Sequence, residues 1–238
     1  MKKRLLITLC CICLLLSACA KSTSNITSER LTNTPPGSFF PKENLTLTAQ
    51  MVVYNSAAYE MREASSINTT ETVQFQIKKV AARFQGTVYK IIIPKVSESD
   101  GYLTDDRTVI YLYVTSDKIY RLWGYVEESD HTVYFYNNDA LMIKMLDTEE
   151  TLVDNSYVVF QKTSKSDALQ NGAVGEHKVI DVRGGLVSSW YWGMWTPNGD
   201  IGFYEDFTWD LSKGLVTYRS GYRAEADIIY LNDIRVTK

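Results

Sequence analysis

Residues 72–78 read Thr-Val-Gln-Phe-Gln-Ile-Lys, a strict alternation of polar and apolar side chains. Successive side chains of a β-strand point to opposite faces, so this pattern predicts a strand that buries Val73, Phe75 and Ile77 on one face. Segments rich in β-branched and aromatic residues recur from Leu45 onward, which is typical of sheet proteins. These segments predict further strands over residues 87–93, 108–114, 132–136, 140–146 and 157–161.

The last part of the chain has the clearest succession of strands and turns. Gly184-Gly185 is a two-residue hairpin signal, and Pro197-Asn198-Gly199 is a second turn. Predicted strands cover residues 177–183, 186–195, 201–210, 215–222 and 226–231. We therefore predict an all-β fold, mainly an antiparallel meander that forms a barrel or half-barrel, with at most one or two short helices. Residues 55–64 are the helix candidate, because alanine, glutamate and methionine favour a helix.

Residues 42–238 are predicted to form the β-rich domain. Within them, residues 162–176 form a polar segment that contains two glycines. This segment is either a loop inside one barrel or a linker that divides the domain into residues 42–162 and 176–238, and the sequence leaves both possibilities open.

An apolar run of 14 residues, from Leu5 to Ala18, follows the basic start Lys2-Lys3-Arg4. A helix that crosses a bilayer needs roughly 20 apolar residues, so the run is short for a membrane anchor. The positive charges before the run and the small residues at its end are typical of an export signal over residues 1–18.

The residues Leu16-Ser17-Ala18-Cys19 resemble the lipobox of bacterial lipoproteins. This resemblance implies that residues 1–18 are removed and that Cys19 carries a thioether-linked diacylglycerol. Two acyl chains hold a protein on a membrane where one chain would be marginal. The resemblance thus implies a lipid-anchored protein on the extracytoplasmic face of the cell membrane. In a host with two membranes the protein could instead be anchored in the outer membrane, since Ala20 does not match the aspartate signal for inner-membrane retention.

Residues 19–41 are predicted to be a lipidated, flexible tether between the anchor and the domain. The segment is polar and contains Pro35-Pro36-Gly37. It has too few apolar groups to offset the entropy that ordering would cost.

The cysteines and charges exclude several classes of protein. All four cysteines lie in or at the end of the signal, at positions 10, 11, 13 and 19, so the mature chain has no internal disulfide and depends on its core. The full chain has 25 basic and 28 acidic side chains, and loss of the three basic residues of the signal leaves 22 against 28, a net charge of −6. A mildly acidic chain is poorly suited to bind nucleic acid.

Side chains that commonly carry catalysis are scarce in this sequence. The chain has two histidines, His131 and His177, and neither has partners at the spacing of a catalytic triad or a histidine metal site. The glycines are isolated turn glycines rather than a phosphate-binding loop. We therefore expect no metal site, no cofactor and no enzymatic activity.

Residues 201–209 carry apolar side chains at every odd position except Glu205. If Trp209 lies opposite Leu215 in the next hairpin, regular pairing places Glu205 opposite Arg219. A carboxylate on an apolar face needs such a partner, because unpaired burial is costly. We predict a partly buried Glu205–Arg219 ion pair that sets the strand register, with a polar anchor in a ligand pocket as the alternative.

The segment Trp190-Tyr191-Trp192-Gly193-Met194-Trp195 is the most aromatic in the chain. In a strand, Trp190 and Trp192 share one face while Tyr191 and Trp195 share the other. Exposed rings can stack on sugars or apolar ligands, although one set can instead fill the core and a neighbouring element can cover the other. The candidate ligand-binding residues are therefore Trp190, Trp192, Trp195, Glu205 and Arg219.

The ending over residues 214–222 resembles C-terminal segments of uncharacterised surface proteins from Gram-positive bacteria, a likeness that implies no activity. We interpret the chain as a non-enzymatic envelope lipoprotein that binds a glycan, a lipid or an envelope protein. One alternative is a carrier of lipid or lipoprotein cargo with a half-barrel cavity. The other is a carbohydrate-active enzyme that uses Glu205 with a second carboxylate such as Asp227, since glycoside hydrolysis needs two.

Overall fold

The structure is a computed structural model. It describes residues 33–40, 44–54, 67–93, 109–126, 133–136, 142–144, 148, 152–153, 156–163, 165–166, 175–194, 202–223 and 228–237. The strands are β1 (Leu45–Tyr54), β2 (Ile67–Arg83), β3 (Gly86–Ile92), β4 (Val109–Val114), β5 (Lys118–Leu122), β6 (Gly124–Val126), β7 (Val133–Tyr136), β8 (Met142–Lys144), β9 (Ser156–Gln161), β10 (Lys165–Ser166), β11 (Gly175–Arg183), β12 (Leu186–Met194), β13 (Gly202–Asp210), β14 (Gly214–Arg223) and β15 (Ile228–Val236). A 3₁₀-helix over Pro36–Phe39 precedes β1.

Twelve of these strands form one antiparallel sheet in the order β10-β11-β12-β13-β14-β15-β1-β2-β3-β4-β5-β9. Strand β9, at one end of this order, packs against β11, β12 and β13 near the other end. The sheet therefore curls into a nearly closed barrel, as the twist of successive strands favours. Strands β6, β7 and β8 form a separate three-stranded sheet. The predicted all-β, antiparallel meander is confirmed.

The interior of the barrel is lined by every second residue of its strands. Val73, Phe75 and Ile77 are all buried, as the alternation of residues 72–78 predicts. Ile180 and Val182 on β11 also face the core, while Asp181 between them is only half-buried. The period of two along the sequence thus sorts the side chains between core and surface.

One hydrophobic core joins the two parts into which the sequence could be divided. Phe75 on β2 and Phe160 on β9 belong to the same cluster of buried residues as Phe207 and Trp209 on β13. Strand β1 lies between β15 and β2, which ties the C-terminal meander directly to the N-terminal strands. The buried cluster therefore contains described residues from both sides of the polar segment 162–176.

Residues just before β1 pack against one end of the barrel. The Phe39 ring stacks on Trp209 with centroids 5.7 Å apart, and the Phe40 ring stacks on Tyr89 at 4.5 Å. Phe40 is 6% exposed and Pro36 is buried. The predicted flexible tether of residues 19–41 is therefore wrong at its C-terminal end, because two aromatic side chains bury enough apolar surface to order this segment.

A second, smaller cluster lies on the outer face of β3, β4 and β5. Its buried members include Val88, Tyr113 and Leu122, and Leu152 packs over them. Gly86 lies where Tyr113 passes close to the backbone, because a Cβ there would lie 2.5 Å from Tyr113 Cε2 and from the Val114 carbonyl oxygen.

The hairpin between β11 and β12 turns at the predicted Gly184-Gly185. Both glycines have positive φ, at 58° and 87°, which glycine adopts at little cost. The candidate helix over residues 55–64 and the predicted turn at residues 197–199 lie outside the described residues. None of the helices in the described part of the chain has the length and apolar character needed to span a bilayer.

Candidate polar site inside the barrel

Glu205 projects from β13 into the barrel interior, where it is 1% exposed. Three donors meet its carboxylate. Arg121 Nε lies 3.2 Å from Oε2, Tyr218 donates its hydroxyl to Oε1 at 2.7 Å, and the Tyr157 hydroxyl donates to Oε2. Both carboxylate oxygens therefore accept hydrogen bonds from buried side chains that are far apart in sequence.

Arg121 is held in place from more than one side. It lies on β5, is 2% exposed, and donates from Nη1 to the Leu122 carbonyl oxygen at 2.5 Å. Its guanidinium lies 5.6 Å from the Trp123 ring centroid, within the range of a cation–π contact. A guanidinium is the cation best suited to a buried pair, because its charge is delocalised and its hydration is weak.

Aromatic rings surround this pair. Tyr157 stacks on Tyr191 with centroids 4.5 Å apart, and the Trp123 ring lies 5.1 Å from Tyr191 and 5.6 Å from Phe203. These rings come from four different strands or the residues beside them and keep water away from the ion pair. In such surroundings the pair is stable only because the hydrogen bonds of its carboxylate are made within the protein.

The site also shifts the titration of a neighbouring phenol. Burial and the adjacent Glu205 carboxylate raise the pKa of Tyr218 well above its ordinary value, because both disfavour the phenolate. Tyr218 therefore stays protonated and remains a hydrogen-bond donor to Glu205 at neutral pH.

The predicted Glu205–Arg219 pair is wrong. Trp209 does lie opposite Leu215, but an extra residue in β14, Val216, shifts the register beyond that point. Arg219 is consequently opposite Asp206, and Glu205 is opposite Ser220. A one-residue bulge moves a side chain to the other face of the sheet, so Arg219 lies outside the barrel while Glu205 lies inside.

Arg219 forms its ion pair with Asp206 on the outer face. Its Nε lies 2.6 Å from Asp206 Oδ2, and its guanidinium lies 5.5 Å from the Tyr204 ring centroid. Burial raises the pKa of Asp206, and the Arg219 cation acts in the opposite direction. The outer face therefore carries a half-covered pair that is separate from the interior one.

The aromatic segment on β12 divides between the two faces as predicted. Tyr191 is 5% exposed inside the barrel, whereas Trp190 is half-buried and Trp192 is 44% exposed on the outer face. In register, Trp190 lies opposite Asp206 and Trp192 opposite Tyr204, so one half-buried and one exposed indole lie beside the outer ion pair. Trp195 lies outside the described residues, as do Cys19, His131 and Asp227.

The sequence analysis missed three residues of the interior site: Arg121, Tyr157 and Tyr218. Arg121 carried a usable signal, because it has the same period-two phase as Ile119 and Trp123, which marks a charge on an inward face. The sequence contains no signal that Arg121 pairs with Glu205, because β5 and β13 are not neighbours in the sheet. In the described ranges no three residues among histidine, cysteine, aspartate and glutamate are grouped to hold a metal ion.

No protein-family model matches this chain, and no curated protein matches it significantly in sequence.

Proposed function

We propose that the protein is a lipid-anchored, non-enzymatic lipoprotein on the extracytoplasmic face of the cell membrane that binds an envelope glycan. The ligand contacts the outer face of the barrel at Trp190 and Trp192. The observation that carries this proposal is the exposed indole of Trp192 beside a second indole and an ion pair.

The chemistry of this outer face fits a sugar. The flat face of a pyranose stacks on an indole ring, and its hydroxyl groups need polar partners at the ring edge. Arg219, whose side chain is 31% exposed, supplies such a partner next to the indoles. An exposed aromatic ring next to a second, half-buried ring on a sheet is typical of a binding surface.

The environment of Glu205 supports a role without catalysis. A general acid must reach the substrate, yet this carboxylate is 1% exposed and accepts hydrogen bonds at both oxygens. The other nearby carboxylate, Asp206, projects from the opposite face of the same strand. Glu205 is therefore better suited to hold β13 against β5 and β9 than to protonate a glycosidic oxygen.

The test is tryptophan fluorescence of the purified protein with soluble cell-wall glycans. We expect saturable quenching in the wild type and about tenfold weaker binding, or none, in Trp192→Ala, since loss of a stacked ring removes about 1–3 kcal/mol in comparable stacking contacts. Leu186→Ala is the matched control, because Leu186 lies on the outer face of the same strand, is 40% exposed and is far from the ion pair. Quenching that survives in Trp192→Ala, or is absent across a broad glycan panel, refutes the proposal.

A further inference from the structure

A cavity of about 380 Å³ lies at the end of the barrel that Phe39 and Phe40 cover. Ligand pockets in proteins have volumes of about 300–1,000 Å³, so the space is sufficient for a small ligand. Ten of the fifteen residues that line it are apolar, while the surface that faces the cavity is about equally polar and apolar; the wall has contributions from β1, β2, β13, β14, β15 and the 3₁₀-helix segment. The apolar lining residues are Phe39, Phe40, Leu45, Leu47, Ile77, Trp209, Leu211, Leu215, Ile234 and Val236.

Two cations lie at the rim of this cavity. Lys213 and Arg235 both line the cavity, and their side chains are 72% and 65% exposed. Each has an aspartate at the outer limit of ion pairing, at 3.8 Å for Asp210 and 3.7 Å for Asp233, and neither aspartate lines the cavity. Exposed pairs of this length contribute little, so both cations can turn to an anionic ligand.

The cavity faces the side from which the chain arrives. Ser38, Phe39 and Phe40 form part of its wall, and the chain between Cys19 and Asn33 reaches at most about 50 Å even when fully extended. If Cys19 is acylated, as its lipobox implies, Asn33 therefore stays within that distance of the membrane surface, and the cavity wall begins five residues further along the chain.

We propose that this cavity binds a fatty acid. The acyl chain lies among the apolar side chains, and the carboxylate lies at the rim between Lys213 and Arg235. The proposal does not depend on the glycan site, which lies on the outer face of β12 and β13.

The test uses the mature acylated protein, which begins at Cys19, in phosphatidylcholine nanodiscs with the fluorescent fatty acid cis-parinarate. We expect energy transfer from tryptophan to parinarate above that of empty nanodiscs, and displacement of the probe by palmitate. Hexadecanol should compete about two- to fivefold less well, because it lacks the charge that the exposed cations attract. If hexadecanol competes as well as palmitate, the carboxylate does not bind between Lys213 and Arg235. If palmitate leaves the energy transfer unchanged, the cavity does not bind a fatty acid.

Three variants distinguish parinarate that is bound in the cavity from parinarate that is dissolved in the surrounding bilayer. Leu215→Phe fills the interior of the cavity and Val236→Phe, at a position that is 51% exposed, narrows its mouth without changing the core. We expect both to weaken parinarate binding by about tenfold, while Leu186→Phe, on the outer face of β12, leaves it unchanged. If Leu215→Phe does not fold, Val236→Phe decides, and energy transfer at the wild-type level in that variant overturns the proposal.

Discussion

Arg121 and Glu205 form an ion pair across the interior of the barrel, with Nε and Oε2 3.2 Å apart, although 84 residues separate them in the chain. Strand β5 carries the arginine and β13 carries the carboxylate, and these strands are far apart in the order of the sheet. The pair therefore joins two strands that meet only because the sheet curls until β9, the neighbour of β5, packs against β11, β12 and β13.

Removal of one partner of this pair should be strongly destabilising. Glu205→Gln leaves the Arg121 cation buried without a counter-charge, and we expect a loss of about 3–5 kcal/mol in the free energy of unfolding. Urea unfolding followed by tryptophan fluorescence measures this loss.

Two further variants serve as comparisons for Glu205→Gln. Arg121→Met combined with Glu205→Gln removes both charges and should recover part of the stability, because no buried charge stays unpaired. Arg183→Gln removes one partner of an ion pair in which the arginine side chain is 81% exposed, and should change the stability by less than about 0.5 kcal/mol. A Glu205→Gln variant as stable as Arg183→Gln would show that the interior pair does not hold the barrel together.

The outer pair predicts a dependence on pH. Burial raises the pKa of Asp206 in the folded state above its unfolded value. The folded state therefore holds this proton more tightly, which stabilises it below about pH 3.8. This stabilisation is lost as the pH rises through the folded pKa. Arg219→Gln removes the cation that opposes this shift and should destabilise the protein by about 1–3 kcal/mol at neutral pH and by less at about pH 3.

Urea midpoints of Arg219→Gln and of the wild type at both pH values provide the measurement. In the background of Asp206→Asn the cost of Arg219→Gln should no longer change with pH, because the titrating carboxylate is absent. A cost that is equal at both pH values in the protein that retains Asp206 would contradict the assignment.

Phe40 should anchor the segment before β1 to the barrel. It is 6% exposed and stacks on Tyr89, so Phe40→Ala should cost about 3–5 kcal/mol. The nearby Ser38→Ala is the control, since Ser38 is exposed and loses only the hydrogen bond from its hydroxyl to the Pro35 carbonyl oxygen, at a cost of about 1 kcal/mol or less. Thermal unfolding distinguishes the two variants, and equal transition temperatures would mean that the segment does not contribute to the core.

Gly86 should not tolerate a side chain. The Cβ of Gly86→Ala would overlap Tyr113 and the Val114 carbonyl oxygen, and overpacking of this kind costs about 1–3 kcal/mol. Gly37→Ala introduces the same methyl group where no atom lies within 4 Å, and should be nearly neutral. Denaturant midpoints compare the two variants, and the idea fails if both are equally stable.

The lipid anchor is testable by the intact mass of the native product. We expect a chain that begins at Cys19 with the mass of a diacylglycerol added, and no such addition in Cys19→Ala. Retention of residues 1–18, or an unmodified thiol at the first residue, would remove the basis for the membrane location.

Local pattern was enough to predict most of the strands and the faces of their side chains. Val73, Phe75 and Ile77 are buried because their spacing matches the period of a strand, which does not depend on the rest of the chain. The Gly184-Gly185 hairpin is equally local. The sequence analysis did not predict β5 and β6, because both segments are short and because Arg121 occupies an inward position of β5 where an apolar residue is expected.

The partner of Glu205 depended on two features that only the folded chain contains. The extra residue Val216 in β14 moved Arg219 to the outer face, and the closure of the barrel brought Arg121 and Tyr157 to the carboxylate from strands far away in the chain. The sequence by itself determined that this chain forms a sheet protein with a carboxylate on an apolar face, because period and polarity are read from neighbouring residues. Which cation meets that carboxylate was decided by tertiary structure, because register and barrel closure place residues from distant strands beside one another.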